Sequence, residues 1–178
     1  MKHEQWGDVH FIHEFITPED MAVVREYIDN STFQRQEGVP NSYIEGLEDP
    51  TNSIIADAQK LLQQSMEKDF NCVIGDENQG TIVKYDIGWT LSLHADVYDH
   101  LPTYAGYPTR DLSSILYLSE DFDGGDLWFP DLDLLIHPTA GSVAYFPSST
   151  DFMHEVTELK AGNRYTCTSF WHILEQNS

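Results

Sequence analysis

The sequence is poor in basic residues and in cysteine. Nine lysines and arginines stand against 30 aspartates and glutamates in 178 residues, which gives a formal net charge of −21. Nucleic acids and anionic membranes are bound mainly through lysine and arginine, so this composition argues against both as partners. Two cysteines, Cys72 and Cys167, are too few for a disulfide framework, and we expect them to be reduced structural thiols.

Long apolar runs are also missing. No stretch approaches the roughly 18 apolar residues of a membrane-spanning helix, and the first residues lack the apolar centre of a signal peptide. We therefore expect a soluble, cytoplasmic protein. Repeats, low-complexity segments and linkers are absent too, and 178 residues with 40% hydrophobic content are enough for one domain with a proper core.

Two amphipathic helices are predicted before a series of short strands. Thr17 looks like a helix cap followed by a first-turn proline and two acidic residues, and that helix should run to about Asp29. A second helix should begin near Asp49-Pro50. Its apolar residues recur at helical spacing and should face the core: Ile54, Ile55, Ala58, Leu61, Leu62 and Met66.

After about Thr81 the pattern changes to short strands separated by clusters of glycine, proline and aspartate. Helices followed by many strands predict a mainly β fold with flanking helices. We expect an N-terminal helical part, about residues 1–80, to pack outside a β-sandwich or jelly roll formed by about residues 81–178.

A His-x-Asp motif and a later histidine are the most informative pattern in the chain. His94 and Asp96 are two residues apart, so on a strand both side chains would point to the same face. With His154 they supply two imidazoles and one carboxylate. That set leaves coordination positions open and suits non-haem Fe(II) oxygen chemistry. Because roughly one His-x-Asp is expected by chance, the interpretation depends on the ordered combination.

Arg164 adds a rare positive charge to an acidic region, since Lys160 is the only other lysine or arginine after Arg110. Residues 152–156 and 164–170 have strand composition, with a turn signal at 160–163. A hairpin would put His154 roughly opposite Arg164. A metal at His154 and a carboxylate at Arg164 would then be the two ends of one five-carbon diacid.

From about residue 80 to 172 the chain resembles the Fe(II)/2-oxoglutarate dioxygenases, and within them the prolyl 4-hydroxylase-like group. Six motifs in order carry the resemblance: residues 84–88, 110–118, 124–130, 141–147, 154–156 and 162–165. It implies a double-stranded β-helix (jelly roll) with Fe(II) held by His94, Asp96 and His154 inside one mouth. It also implies 2-oxoglutarate and O2 as co-substrates of a hydroxylation, with ascorbate as an optional cofactor.

The resemblance implies further roles around the co-substrate. Arg164 would bind the distal carboxylate of 2-oxoglutarate through a planar bidentate fork. Tyr85 and Tyr117 match tyrosines near the co-substrate, although each is also typical of a core position. Relatives often have tryptophan six residues after the basic residue, where this chain has Phe170. Strand alternation puts Phe170 on the face of Arg164 and Trp171 on the other face, so Trp171 is assigned no role.

The segment 97–109 lacks strand character and contains two prolines and several tyrosines, among them Tyr98 and Tyr104. It indicates a functional loop that closes over substrate, with an ordinary surface connection as the alternative. The acidic run 120–133 lacks an EF-hand pattern and is expected to form solvated turns. His100 is a poor ligand candidate, because six residues beyond His94 it lies past a turn. The remaining histidines have no partners at ligand spacing and are expected at the surface or in ordinary hydrogen bonds: His3, His10, His13, His137 and His172.

By this resemblance, a prolyl residue in a peptide or protein is the leading substrate, and a free amino acid or other small molecule is the second. The negative charge favours a basic or neutral substrate over an acidic one. From a different class, a non-catalytic metal-binding jelly roll or a zinc hydrolase stays open. Neither of these needs a cation ten residues past the last ligand. The sequence does not determine the oligomeric state.

Overall fold

The computed structural model describes residues 2–35, 41–75, 81–97 and 110–177. Its helices are α1 (Pro18–Asn30) and α2 (Thr51–Asp69). The strands before residue 97 are β1 (His3–Trp6), β2 (Val9–Ile12), β3 (Gln34–Arg35), β4 (Asn41–Ile44), β5 (Cys72–Ile74), β6 (Ile82–Tyr85) and β7 (Leu91–His94). The later strands are β8 (Leu112–Tyr117), β9 (Phe122–Gly124), β10 (Leu127–Phe129), β11 (Leu134–Ile136), β12 (Val143–Pro147), β13 (His154–Val156), β14 (Leu159–Gly162), β15 (Arg164–Trp171) and β16 (Ile173–Gln176).

Two antiparallel sheets enclose the inner core. The larger sheet has the strand order β1-β2-β12-β8-β15-β6-β4-β3, and the smaller has the order β11-β10-β13-β7. Two short pairs, β14-β9 and β16-β5, complete the strands. Alternate residues of both sheets point between the layers and form one buried cluster that includes Phe11, Tyr117, Phe129, Phe146 and Val156. The expected mainly β jelly roll is confirmed.

Both helices pack against the other face of the larger sheet, as predicted. The Thr17 hydroxyl accepts a hydrogen bond from the Asp20 amide at 3.1 Å and so caps α1. The buried face of α2 contacts a second core cluster that includes Cys167 and Trp171 of β15. Leu61 is an exception to the predicted stripe. Leu61 is 42% exposed. It precedes the buried Leu62 by one residue, and one residue corresponds to a rotation of about 100° around the helix axis. Neither described helix combines the length and apolar character that crossing a membrane requires.

The first 80 residues contain more strand than the sequence indicated. β1 and β2 extend one edge of the larger sheet, and β4 and β3 extend the other. β2 pairs with β12, and its Val9 and Phe11 enter the inner core. Each of these strands is at most four residues long, too short to show a periodic pattern in the sequence. They join the sheet where β2 pairs with β12 and β4 pairs with β6.

The expected hairpin between His154 and Arg164 is wrong. β13 pairs with β10 and β7 in the smaller sheet, whereas β15 pairs with β6 and β8 in the larger one. Residues 159–162 form β14, which pairs with β9 and carries the chain from one sheet to the other. The cross-strand partner of His154 is therefore His94, and that of Arg164 is Tyr85.

Candidate metal centre and co-substrate site

His94, Asp96 and His154 converge at the edge of the smaller sheet. His94 ends β7, His154 begins β13, and the two lie opposite each other in the strand register. Asp96 is not on the strand as expected, because β7 ends at His94 and Asp96 lies in the bend that follows. The bend still brings its carboxylate to both rings, with 3.3 Å from Oδ1 to His94 Nε2 and 3.6 Å from Oδ2 to His154 Nε2.

Backbone carbonyl groups select the tautomer of both rings. His94 Nδ1 lies 2.9 Å from the Ser92 carbonyl oxygen, and His154 Nδ1 lies 3.0 Å from that of Phe152. A carbonyl oxygen can only accept, so each Nδ1 carries the hydrogen and donates it. Nε2 of each ring faces the Asp96 carboxylate. A protonated Nε2 donates to that carboxylate, and an unprotonated Nε2 is free to share a metal ion with it.

Burial and hydrogen bonding shift the pKa values of these three groups. Burial opposes ionisation of Asp96, but hydrogen bonds from His94 and Ser113 and the charge of His154 hold its pKa below the ordinary value. The hydrogen bond to Asp96 raises the pKa of His94, whereas burial lowers that of His154. An ionised carboxylate and a neutral buried imidazole are the forms that bind a metal.

Neighbouring side chains that sequence reasoning missed hold the centre in place. The ring of His154 lies 5.4 Å from Phe129 and 4.8 Å from Phe146, centre to centre, and His154 is 3% exposed. Ser113 interacts with Asp96 and with the Ser148 hydroxyl, the latter at 2.7 Å. Side-chain alternation along the strands places both phenylalanines on the inward face, and this pattern in the sequence could have identified them.

Arg164 lies between three aromatic rings, at the start of β15. It is 1% exposed, and its Nε donates to the Gly125 carbonyl oxygen at 2.9 Å. The guanidinium carbon is 4.9 Å from the ring centre of Tyr85, 5.5 Å from that of Tyr117 and 5.8 Å from that of Trp89. The rings favour a cation and restrict water access. Trp89 was missed, although it directly follows the turn after the predicted lead-in strand.

Two buried donors in this cluster have no hydrogen-bond partner within the described residues: Arg164 Nη2 and the Tyr117 hydroxyl. Burial raises the pKa of Tyr117 against the opposing effect of the Arg164 charge, so the hydroxyl keeps its proton. A buried donor left unpaired costs roughly 1–3 kcal/mol. A carboxylate would accept from both, so the residues fit the distal end of 2-oxoglutarate. Tyr85 instead pairs its hydroxyl with Thr166 Oγ1 at 3.2 Å.

Two consecutive glycines make room for this arrangement. A Cβ at Gly124 would overlap the Glu158 carbonyl oxygen, and a Cβ at Gly125 would lie 2.8 Å from Arg164 Cδ. Both residues have positive φ, 72° and 66°, which side chains rarely adopt. Gly124 thus admits the backbone of β14, and Gly125 admits Arg164.

Gly125→Ala is expected to raise the 2-oxoglutarate concentration for half-maximal turnover by about tenfold or more, because displacing Arg164 weakens a charge-assisted contact of roughly 1.5–3 kcal/mol. Titration of turnover with 2-oxoglutarate measures this. Gly46→Ala is the matched control, since Gly46 has a similar φ of 65° and nothing within 4 Å of an added Cβ. An equal shift in both variants would mean that backbone strain, not contact with Arg164, is responsible.

Residues 98–109, with Tyr98, Tyr104 and His100, lie outside the described residues, so the proposed loop stays a prediction. The predicted alternation of side chains along β15, with Arg164 and Trp171 on opposite faces, is found in the structure. Trp171 is buried in the cluster on the helix side, together with Cys167.

A jelly roll that brings together two histidines, a carboxylate and a buried arginine is typical of oxygenases that use iron and a dicarboxylic co-substrate. The sequence profile of the 2OG-Fe(II) oxygenase superfamily matches residues 80–172, just over half of the chain. The chain belongs to that superfamily, whose cofactors are Fe(II), 2-oxoglutarate and O2, as the sequence predicted. Over 74 residues it is 36% identical to prolyl 3-hydroxylase 1 of Rattus norvegicus. That match covers 39% of this chain and 10% of the relative.

Solved structures share the fold over nearly the whole chain. The collagen prolyl hydroxylase of Paramecium Bursaria Chlorella virus-1, in its 2OG complex, has a TM-score of 0.70 at 16% identity, covering 96% of this chain and 97% of that one. A prolyl hydroxylase from Trichoplax adhaerens, in complex with a hypoxia inducible factor peptide fragment, has a TM-score of 0.71 at 18% identity, covering 93% and 83%. At such identities the likeness shows the fold alone.

Proposed function

We propose that this protein is an Fe(II)- and 2-oxoglutarate-dependent hydroxylase that acts on a prolyl residue in a peptide or protein. The observation that carries the oxygenase activity is the pair of unpartnered buried donors, Arg164 Nη2 and the Tyr117 hydroxyl, in a jelly roll that also holds the His-Asp-His cluster. The similarity to proteins named prolyl hydroxylases, in sequence and in fold, supports the prolyl substrate.

Each part of the site has a role in this proposal. His94, Asp96 and His154 hold the metal through two Nε2 atoms and a carboxylate, and they leave further coordination positions open. Arg164 and Tyr117 donate to the distal carboxylate of the co-substrate. When bound, Fe(II) together with 2-oxoglutarate and O2 supplies the chemistry that converts a C–H bond to C–OH. The surrounding aromatic rings exclude water, and no side chain is required as a general base.

Mass spectrometry of a panel of proline-containing peptides and free amino acids tests the substrate. With enzyme, Fe(II), 2-oxoglutarate and O2, we expect one added oxygen on a proline of at least one peptide, and fragmentation locates it. The Asp96→Ala variant is the control and should leave every panel member unmodified. Turnover of a free amino acid with no modified peptide would replace this proposal by the small-molecule alternative.

The panel should include pairs of peptides that share one proline context and differ in the charge of the flanking residues, basic in one peptide and acidic in the other. Because the chain carries −21, a basic flank should lower the KM relative to an acidic flank, and added salt should reduce the difference by screening. A preference for acidic flanks would show that local contacts with the peptide outweigh the electrostatic field of the negatively charged chain.

A further inference from the structure

A second cluster of two histidines and a carboxylate lies apart from the oxygenase site. His3 is on β1, His10 is on β2, and Asp69 is the last residue of α2. His3 Nε2 lies 3.0 Å from His10 Nδ1, which lies 3.6 Å from Asp69 Oδ2. We propose that these three side chains bind a divalent transition-metal ion of the Zn²⁺ type, which fastens the β1-β2 hairpin to the end of α2.

The distances suit such an ion. Zn²⁺ lies about 2.0–2.2 Å from imidazole nitrogen and carboxylate oxygen, so two ligand atoms of a tetrahedral centre are about 3.3–3.5 Å apart. The observed 3.0 and 3.6 Å are on either side of this value, and all three ligand atoms lie within 4.8 Å of one another. In the part of the chain that the structure describes, the oxygenase centre is the one other group of this kind.

Tyr145, on β12, positions two of the three groups. Its ring stacks on His10 with a centre-to-centre distance of 4.7 Å and an interplanar angle of 8°. Its hydroxyl donates to Asp69 Oδ2 at 2.6 Å. His10 is 2% exposed, whereas His3 and Asp69 are exposed, so an ion can enter from solvent and water can complete its coordination.

The local charges favour a cation. Asp69 lies at the C-terminal end of a 19-residue helix, where the helix dipole is negative. A carboxylate in that position is unfavourable by itself, and a bound cation would offset both negative charges.

The larger sheet separates this cluster from the oxygenase site. Tyr145 belongs to the core on the helix side, whereas the next residue, Phe146, points inward and contacts His154. A metal at the second cluster would therefore be structural. It would join an edge hairpin to a helix without contact with the His94 centre, and the inference does not depend on the proposed hydroxylase activity.

Zn²⁺ stoichiometry in the full chain, without an affinity tag of histidines, tests the proposal. Calorimetric titration and elemental analysis after gel filtration should give two equivalents for the unmodified chain, one per cluster. Asp96→Ala should leave one equivalent, and Asp96→Ala combined with His3→Ala or Asp69→Asn should leave none. Zn²⁺ should also raise the Tm of Asp96→Ala but not of the combined variants.

His13→Ala is the matched control, since His13 is a nearby histidine that pairs with the single carboxylate of Glu4 at 2.6 Å. It should not change the stoichiometry in the Asp96→Ala background. A folded Asp96→Ala protein that binds no Zn²⁺ would overturn the proposal. So would binding that survives His3→Ala and Asp69→Asn together, because the ion would then lie elsewhere.

Discussion

Asp96→Ala is expected to abolish 2-oxoglutarate-dependent turnover. Its carboxylate faces both ring nitrogens, at 3.3 Å from His94 and 3.6 Å from His154, and it is the anionic member of the centre. Changes to residues that merely orient metal ligands already cost about 10- to 100-fold, so loss of a ligand should cost more than about 100-fold. His94→Ala and His154→Ala should have the same effect. Succinate release and bound iron measure it.

His137→Ala is the control for this experiment. His137 also pairs with an aspartate, at 2.8 Å from Asp126, but its side chain is 74% exposed and it is not one of the three clustered ligands. Turnover should be unchanged in this variant. The Tm of metal-free Asp96→Ala should stay close to that of the unmodified chain, because an anion between two histidines is not part of the hydrophobic core. Retained turnover in Asp96→Ala would exclude the assigned ligand set.

Arg164→Met is expected to raise the 2-oxoglutarate requirement by about a hundredfold or more. Removal of one partner of a buried ion pair costs roughly 3–5 kcal/mol, and each 1.4 kcal/mol is about tenfold. Methionine keeps much of the apolar contact with the three rings. Loss of the Nε hydrogen bond to the Gly125 carbonyl oxygen and removal of the unpartnered Nη2 have opposite effects, so the Tm without co-substrate should change little. Turnover against 2-oxoglutarate concentration and thermal unfolding measure the two effects.

Arg25→Ala removes the same charge elsewhere and serves as the control. Arg25 pairs with Asp29 and Asp121 at the surface, so its loss should leave the 2-oxoglutarate titration unchanged. Arg164→Lys should keep part of the affinity, since the charge remains but the bidentate fork is lost. Identical titrations for Arg164→Met and the unmodified chain would mean that another residue binds the distal carboxylate.

The predictions that held depend on residue type and local spacing. Thr17 and the acidic residues after it specify a helix start, and α1 begins there. The alternation of β15 separates Arg164 from Cys167 and Trp171, because side chains on a strand alternate between faces. A short His-x-Asp spacing brought two candidate ligands together even though Asp96 lies beyond the end of β7.

The predictions that failed required knowledge of pairing partners. Composition identified β13 and β15 as strands, but a strand does not encode which neighbour completes its hydrogen bonds. The turn signal at 160–163 suggested a hairpin, whereas β14 pairs with β9 and leads into the other sheet. The expected ordinary hydrogen bonding of His3 and His10 is found, at 3.0 Å between their rings, but the sequence did not show that Asp69, 59 residues beyond His10, lies beside them.

The sequence by itself determined the chemistry that is available. A histidine, a carboxylate, a second histidine and an arginine, in that order, indicated iron and 2-oxoglutarate, and the scarcity of lysine and arginine argued against nucleic acid. The tertiary structure alone decided which side chains meet. It placed His154 opposite His94, surrounded Arg164 with aromatic rings, and left Arg164 Nη2 without a partner in the described residues. Such contacts arise from long-range strand pairing, whose register depends on burial of both sheets together and not on local sequence.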